Sequence, residues 1–451
     1  MGWLTRTPTR VLGEAAPRAL GRVAQVILLA TLLVTSLTLL AAPVSASSGF
    51  GALTADAVYG RQMTFRVTLG STPERLELLL RFGGDDNTFV APVRPAGGAA
   101  TYVWDAAQQY VTPNTRITYR WRATSAGIVS LSPEGTLVYA DNRPGLDWHS
   151  TQLGEATVHW YGGAEAQARE FGALAASGAR SAEGLLGHDL AGPVDIFVYD
   201  SRADFFGALG PGAREWTGAA TFPNIRTIFM WLGGGPPSYL RTAVVHEVTH
   251  VVFYDATNNP YHDPARWLNE GLARWSERQS ADQERRIVAS ETSQGLFSFE
   301  ALTGQFPIGE RGSSLSYAEG ATMVDMIARQ YGRGAIARIA TAYRTGATDE
   351  EALRAGTGRA AADLYAAYFG QYGTAVPKPI SPEPLLPAAA GGRGSTNAQP
   401  PAPTASPSPT APRPVADPIS WALLLAVGMG GAALVSGALW LRRRAGRRGA
   451  P

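Results

Sequence analysis

Alternating apolar and polar residues dominate the N-terminal third of the chain. Three segments place apolar side chains at every second position: residues 64–69, 75–82 and 115–122. This period is typical of half-buried β-strands, and clusters of Gly, Asp, Asn and Pro between the segments indicate turns. We therefore expect residues 47–144 to form an all-β sandwich of immunoglobulin or fibronectin type.

A different pattern begins near residue 146. Three strand-like segments follow, at residues 155–161, 194–199 and 226–232. They alternate with Ala- and Leu-rich segments of helical spacing, at residues 165–186 and 202–209. This order of strands and helices predicts an α+β domain over residues 145–375.

The N-terminal end has the pattern of a secretory signal peptide. An Arg-containing leader precedes an apolar run at residues 23–42, and Val44-Ser45-Ala46 provides small residues for cleavage. Residues 1–46 are therefore predicted to be a signal peptide, cleaved after Ala46. The apolar run is long, so an uncleaved membrane anchor stays open as an alternative.

The C-terminal end has the pattern of a membrane anchor. Residues 376–418 are rich in Pro, Ala, Ser and Thr, which predicts a disordered linker. Residues 419–441 carry no charge and can span a bilayer, and residues 442–451 contain an Arg cluster. By the positive-inside rule this tail is cytoplasmic, so we expect a single-pass cell-membrane protein with an extracytoplasmic body.

Composition narrows the candidate chemistry. The chain has 451 residues and no Cys, which excludes disulfides, thiolate metal sites and Cys nucleophiles. Nine arginines and one glutamate lie before residue 47 or after residue 441, so the remaining chain has 30 basic and 36 acidic residues, a net charge of −6. This mildly acidic body argues against nucleic acid as a partner.

The candidate site centres on His246-Glu247-Val248-Thr249-His250. Pro236-Pro237-Ser238 predicts the start of a largely apolar helix with Ser238 as its N-cap. Residues four apart share one helix face, so His246 and His250 can bind one ion, and without Cys a His-bound zinc ion fits best. Glu247 is then free to accept a proton from water.

A second predicted helix offers a third ligand. Asp263-Pro264 predicts the start of this helix, with Asp263 as its N-cap, and Glu270 falls near the buried stripe of the segment that follows. Asp255 and His262 are alternative ligands. Glu277 is a candidate to contact a ligand without binding the metal itself.

Residues 267–273, Trp-Leu-Asn-Glu-Gly-Leu-Ala, resemble the glutamate helix of the gluzincins. The chain is similar to the peptidase MA-like families, which are related to the aminopeptidase-like and thermolysin-like branches. The resemblance implies a zincin-like fold, Glu270 as third zinc ligand, and Tyr317 as the residue that stabilises the oxyanion, with Tyr331 as the alternative. It also implies that the strand at residues 226–232 pairs with the substrate backbone.

The chain departs from the aminopeptidase branch in two respects. The spacing between His250 and Glu270 is one residue longer than is usual there. The Gly-x-Met-Glu-Asn motif that captures a substrate amine is missing, and residues 219–224 occupy the comparable place without an acid. These departures favour an endopeptidase over an aminopeptidase.

The sequence thus predicts a membrane-anchored, extracytoplasmic, zinc-dependent peptidase that acts on peptides or proteins. The alternative is a non-catalytic cell-surface binding or scaffold protein that uses a zincin fold. A zinc hydrolase that acts on another kind of substrate is a third, narrower hypothesis.

Overall fold

The computed structural model describes residues 49–210, 218–307 and 309–378. The predicted signal peptide, the linker beyond residue 378, the predicted transmembrane segment and the basic tail lie outside these residues. Across the described ranges, no helix combines the length and apolar character needed to cross a bilayer.

The N-terminal region consists of antiparallel strands in two sheets. The strands are β1 (Phe50–Val58), β2 (Gln62–Leu69), β3 (Arg75–Phe82), β4 (Phe89–Pro92), β5 (Ala99–Asp105), β6 (Thr115–Ser125), β7 (Ile128–Leu131) and β8 (Gly135–Tyr139). One sheet has the order β1-β2-β5 and the other β4-β3-β6-β7, with β8 also paired to β6. Alternate side chains of both sheets, including Phe65, Leu78 and Trp121, share one buried core. The predicted β-rich region is confirmed, and its immunoglobulin or fibronectin type stays a prediction.

A mixed five-stranded sheet forms the base of the second region. Its strands are β9 (His149–Leu153), β10 (Ala156–Trp160), β11 (Val194–Tyr199), β12 (Ala219–Phe222) and β13 (Thr227–Trp231). The order is β12-β13-β11-β10-β9, in which β10, β11 and β13 run parallel and the outer two strands antiparallel. The sheet separates a large helical core from a smaller aromatic core.

Helices alternate with these strands and continue to the end of the described chain. The helix at Arg202–Leu209 packs into the aromatic core, and the other helices pack into the helical core on the opposite face. They are α1 (Glu165–Leu186), α2 (Arg202–Leu209), α3 (Pro237–Thr257), α4 (Arg266–Ser276), α5 (Asp282–Glu291), α6 (Glu310–Tyr331), α7 (Gly334–Arg344), α8 (Asp349–Thr357) and α9 (Ala361–Gln371). The predicted α+β, zincin-like layout is confirmed at this level.

Both predicted N-caps are wrong. Helix α3 starts at Pro237, after an extended Pro236, because proline is preorganised for the first helical position. Helix α4 starts at Arg266 and not next to Asp263. The N–H groups of Arg266 and Trp267 donate to the carbonyls of residues 303 and 302, so a neighbouring turn replaces the expected side-chain cap.

Helices α4 and α6 cross at two glycines. A Cβ atom on Gly271 would lie 2.3 Å from the carbonyl carbon of Gly320, and one on Gly320 would lie 2.5 Å from the carbonyl oxygen of Trp267. Side chains at this crossing would force the helices apart. The contact fixes Glu270 on α4 relative to Tyr317 on α6.

The sandwich packs against the aromatic face of the mixed sheet through buried polar contacts. Asn114 Nδ2 donates to Asp195 Oδ2 and Thr227 Oγ1, both at 3.0 Å. Tyr199 Oη donates to the buried Asp141 at 3.0 Å, and Tyr110 Oη donates to a carbonyl of helix α2 at 2.7 Å. The sandwich thus contacts strands β11 and β13 directly.

Candidate metal centre

Three buried side chains from two helices converge at one point. His246 and His250 lie one turn apart on α3, and Glu270 comes from α4. Glu270 Oε2 lies 3.6 Å from the Nε2 atoms of both histidines. One ligand atom from each of the three lies within 4.8 Å of the others, which among the described residues is the one group of this kind.

This arrangement fits a zinc ion. Ligands at the usual 2.0–2.1 Å from tetrahedral zinc lie about 3.3 Å from one another, close to the separations found here. Within the described part of the chain, His246 Nε2 is buried without a hydrogen-bond partner. A buried nitrogen in this position is costly unless a cation or donor satisfies it, so the donor set favours a metal.

Neighbouring groups orient both imidazoles. His246 Nδ1 lies 3.1 Å from Glu277 Oε1, and His250 Nδ1 lies 2.8 Å from Asn269 Oδ1. Both partners are acceptors, so each Nδ1 donates to its partner and each Nε2 is directed toward Glu270. Arg274 donates to both carboxylate oxygens of Glu277, at 3.1 and 2.9 Å, and holds that acceptor in place.

The electrostatics of the cluster favour a charged Glu270 and a neutral His250. Burial opposes ionisation of Glu270, but His246, His250 and Arg266 outweigh it and lower the pKa of Glu270 to about 2. Burial lowers the pKa of His250 to about 4. A carboxylate beside a neutral imidazole is the ligand state that zinc requires.

Glu247 contacts strand β12. Its carboxylate accepts a hydrogen bond from the Thr221 hydroxyl. Burial raises the pKa of Glu247 to about 7, against the lowering effects of His246 and Thr221. A carboxyl group with a pKa near neutrality is suited to act as a general base.

Tyr317 also faces the site. Its ring centroid lies 6.2 Å from that of His246, and the ring packs edge-on against Phe306 at 5.4 Å. The hydroxyl is buried and has no hydrogen-bond partner among the residues that the structure describes. Burial and the Glu270 charge hold the pKa of Tyr317 well above its usual value, so the hydroxyl stays a proton donor.

The alternative ligands lie elsewhere. Asp255 accepts from the N–H of Ala191 at 3.0 Å, and His262 contacts Asp349 at 3.0 Å. Tyr331 ends helix α6, about 21 Å along the helix axis from Tyr317. The structure therefore brings Tyr317 and Glu270 to the histidines and leaves these three residues outside the cluster.

Sequence reasoning missed two residues of the cluster. Arg266 Nη2 donates to Glu270 Oε1 at 3.2 Å, so the two oxygens of Glu270 face different partners. Its position four residues before Glu270 on a helix was an available signal. Thr221 had no such signal, because it is distant in sequence and an isolated Thr indicates no particular chemistry.

The expectation that the strand at residues 226–232 pairs with substrate is wrong. Strand β13 is internal, with β11 on one side and β12 on the other. Both of its edges are therefore occupied by ladder hydrogen bonds. The sheet edge next to the site belongs to β12, and Thr221 lies on it.

Part of the chain matches a model of a known protein family. Residues 176–368 match the family model described as Peptidase MA superfamily. This region is similar to the Peptidase MA superfamily. The match includes all the ligand candidates and Tyr317, confirms the resemblance to gluzincin-type peptidases, and supports a peptidase hydrolase as the general class of the chain. No curated protein matches the sequence.

Solved structures that match parts of this chain at low similarity include two metallopeptidase-type proteins and a smaller protein. Yeast LTA4 hydrolase is 12% identical, with 75% of this chain and 70% of that chain covered and a TM-score of 0.34. The M1 zinc metallopeptidase from Deinococcus radiodurans is 13% identical, with 72% and 91% covered and a TM-score of 0.34. BhCBM56 is 9% identical, with 20% of this chain and 92% of that chain covered and a TM-score of 0.17.

Proposed function

We propose that this protein is a zinc-dependent endopeptidase. The observation that carries the proposal is the convergence of His246, His250 and Glu270, with Glu270 Oε2 at 3.6 Å from both imidazole Nε2 atoms. These three side chains would hold the ion. Glu247, the residue adjacent to the first ligand, has the burial and the raised pKa of a general base.

The residues around the ligands divide the catalytic work. Zinc, when bound, supplies a Lewis acid that polarises a carbonyl group and lowers the pKa of water. Glu247 accepts the proton of the attacking water and then delivers it to the leaving amine. Tyr317 donates its hydroxyl proton in a hydrogen bond to the oxyanion that develops on the substrate, and such a donor contributes about 3 kcal/mol.

The proposed substrate is an internal peptide bond of a peptide or protein. An aminopeptidase needs a negative group to bind the free amine of its substrate. Strand β12, residues Ala219–Phe222, is the sheet edge beside Glu247 and carries no acidic side chain. Among the described residues, the carboxylate of Glu277 also lies near the ligands, and it is engaged by His246 and Arg274.

We further propose that this domain lies outside the cytoplasmic membrane. The support is the sequence alone: a signal-like leader at residues 1–46, an uncharged segment at residues 419–441 and the Arg cluster after it. The peptidase domain would then meet peptides and proteins of the cell exterior, tethered to the membrane by its C-terminal segment.

The variant Glu247→Gln tests the proposed chemistry. It removes the base and keeps nearly the same shape, so zinc should stay bound at one ion per chain while hydrolysis of a quenched peptide library falls by about 10²–10⁴-fold. Metal analysis and fluorescence assays on the same sample measure both quantities.

A matched control is Glu310→Gln, an exposed carboxylate at the start of α6, which should retain wild-type activity. If Glu247→Gln cleaves the library as fast as the wild type does, Glu247 is not the base. A wild-type protein that binds zinc and cleaves no peptide would contradict the proposal and favour a binding or scaffold role.

A further inference from the structure

Thr221 lies on the face of strand β12 that points at helix α3. Side chains along a strand alternate between the two faces of its sheet. Ala220 and Phe222 belong to the aromatic core on the sandwich side, whereas Ala219 belongs to the helical core. Thr221 shares the face of Ala219, and its side chain therefore meets α3.

The Thr221 hydroxyl is fully buried and has a charged partner. Its exposed fraction is 0%, and it donates to Glu247 Oε2, with the Glu247 backbone carbonyl farther away at 3.5 Å. A buried hydroxyl needs an acceptor, and a carboxylate is a stronger acceptor than a carbonyl. The hydrogen bond therefore fixes one oxygen of Glu247 at the sheet edge.

The same contact couples the base to the strand that forms the edge of the sheet. Register places Thr221 opposite Ile228 of β13, so the ladder holds its backbone in place. Glu247 is itself held by the backbone of α3, and the hydrogen bond joins these two rigid elements. Rotation of the carboxylate is thereby restricted, because one of its two oxygens is bound.

We propose that Thr221 is a positioning residue for Glu247: its hydroxyl binds Oε2 and leaves Oε1 to accept the proton of the attacking water. The inference rests on the proposed peptidase function and adds a residue to it. It predicts that the hydroxyl matters for turnover, because a base displaced by about 1 Å loses about 10²-fold in rate. Substrate binding and metal binding do not depend on it.

The variants Thr221→Val and Thr221→Ser in the full-length chain separate the hydroxyl from the side-chain shape. Valine matches threonine in shape without the hydroxyl, so kcat should fall about 10- to 100-fold with KM changed less than about twofold. Serine keeps the hydroxyl and should restore most of kcat. Zinc affinity, measured by competition with a chromogenic chelator, should be the same in all three proteins.

Thr227→Val is the matched control. Thr227 is equally buried, lies on the neighbouring strand β13 and binds Asn114, and this variant should keep the wild-type kcat. The inference is overturned if Thr221→Val keeps wild-type kcat, if serine does not restore it, or if zinc affinity falls together with kcat. A wild-type protein without peptidase activity would instead contradict the proposed function.

Discussion

The proposed catalytic role of Tyr317 depends on its hydroxyl group, which has no hydrogen-bond partner among the described residues. We predict that Tyr317→Phe lowers kcat about 10²- to 10³-fold and leaves KM nearly unchanged, because the hydrogen bond to the oxyanion exists only in the transition state. Steady-state kinetics with one quenched peptide measure this change. The free energy of unfolding should change little, since phenylalanine fills the same space against Phe306.

Tyr331→Phe is the control for that experiment. It makes the same chemical change at the far end of α6, so its kcat should equal the wild-type value. Equal losses in the two variants, or a loss confined to Tyr331→Phe, would contradict the assignment of the oxyanion role to Tyr317.

Glu319 contributes a pH dependence to stability that is separate from the ligands. Its side chain is fully buried, Oε1 accepts from the N–H of Phe297 at 3.0 Å, and Oε2 has no hydrogen-bond partner in the described part of the chain. Burial raises the pKa of Glu319 from 4.5 to about 8, against smaller effects of Phe297 and Arg311. The folded protein therefore binds this proton more tightly than the unfolded chain does.

The sign of the resulting effect follows from linkage. The contribution of protonated Glu319 to stability is complete below pH 4.5 and is lost as the pH rises to about 8. Glu319→Gln abolishes this loss, so its unfolding free energy relative to wild type should increase over that interval, by about 1.4 kcal/mol for each pKa unit of the shift.

Denaturant unfolding of zinc-saturated protein at pH 5 and pH 8 measures the difference. Glu310→Gln, on the exposed start of the same helix, should show no such change between the two pH values. A constant difference between Glu319→Gln and wild type would mean that Glu319 is ionised in the folded protein at both pH values.

At the scale of elements, the crossing of α4 and α6 controls the geometry of the site. Gly320→Ala would place a Cβ atom 2.5 Å from the carbonyl oxygen of Trp267, and backbone atoms at this contact cannot move aside cheaply. We predict an unfolding free energy lower by about 1–3 kcal/mol. We also predict a loss of hydrolysis, because the helices that carry Glu270 and Tyr317 separate.

Gly184→Ala is the comparison for this variant. Gly184 lies on α1, and an added Cβ atom there meets no atom within 4 Å, so the change should be neutral or stabilising by up to about 1 kcal/mol. Thermal melts and peptide assays of both variants decide the matter. If Gly320→Ala behaves like Gly184→Ala, the helix crossing does not hold the site together.

Local pattern predicted the elements well and their ends poorly. The helix bearing His246 and His250 follows from its apolar residues, and its start was misplaced because Pro236 is extended before Pro237. The predicted N-cap at Asp263 was wrong because the backbone carbonyls of residues 302 and 303 accept the hydrogen bonds of the first N–H groups of the helix. Strand pairing was also missed, since no sequence signal shows that β12 pairs with β13 and takes the sheet edge.

The same limit applies to the site. His246, Glu247 and His250 were identified because their chemistry lies within five consecutive residues, and Glu270 because its helix resembles a known motif. Thr221 acts only through its contact with Glu247, which comes from a distant segment of the chain. Spacing carries no information about such contacts, so only the fold reveals them.

At the scale of the whole molecule, the sandwich is attached to the peptidase domain by specific contacts. Asp141 is buried and accepts a hydrogen bond from the Tyr199 hydroxyl of the mixed sheet. It also forms a salt bridge with Arg143. Asn114 joins the sandwich to β11 and β13. These contacts indicate that the sandwich supports the sheet that also carries β12 and Thr221, a relation that the alternating pattern of its strands could not predict.

The central claim is that one zinc ion, held by His246, His250 and Glu270, makes this chain a peptidase. Its most direct test is to strip the purified full-length protein with a chelator and to titrate zinc back while following hydrolysis of a quenched peptide library. We predict that activity is lost with the metal and returns linearly until one zinc ion is bound per chain. Hydrolysis that persists in the stripped protein, or that stays absent at one bound zinc ion per chain, would contradict the claim.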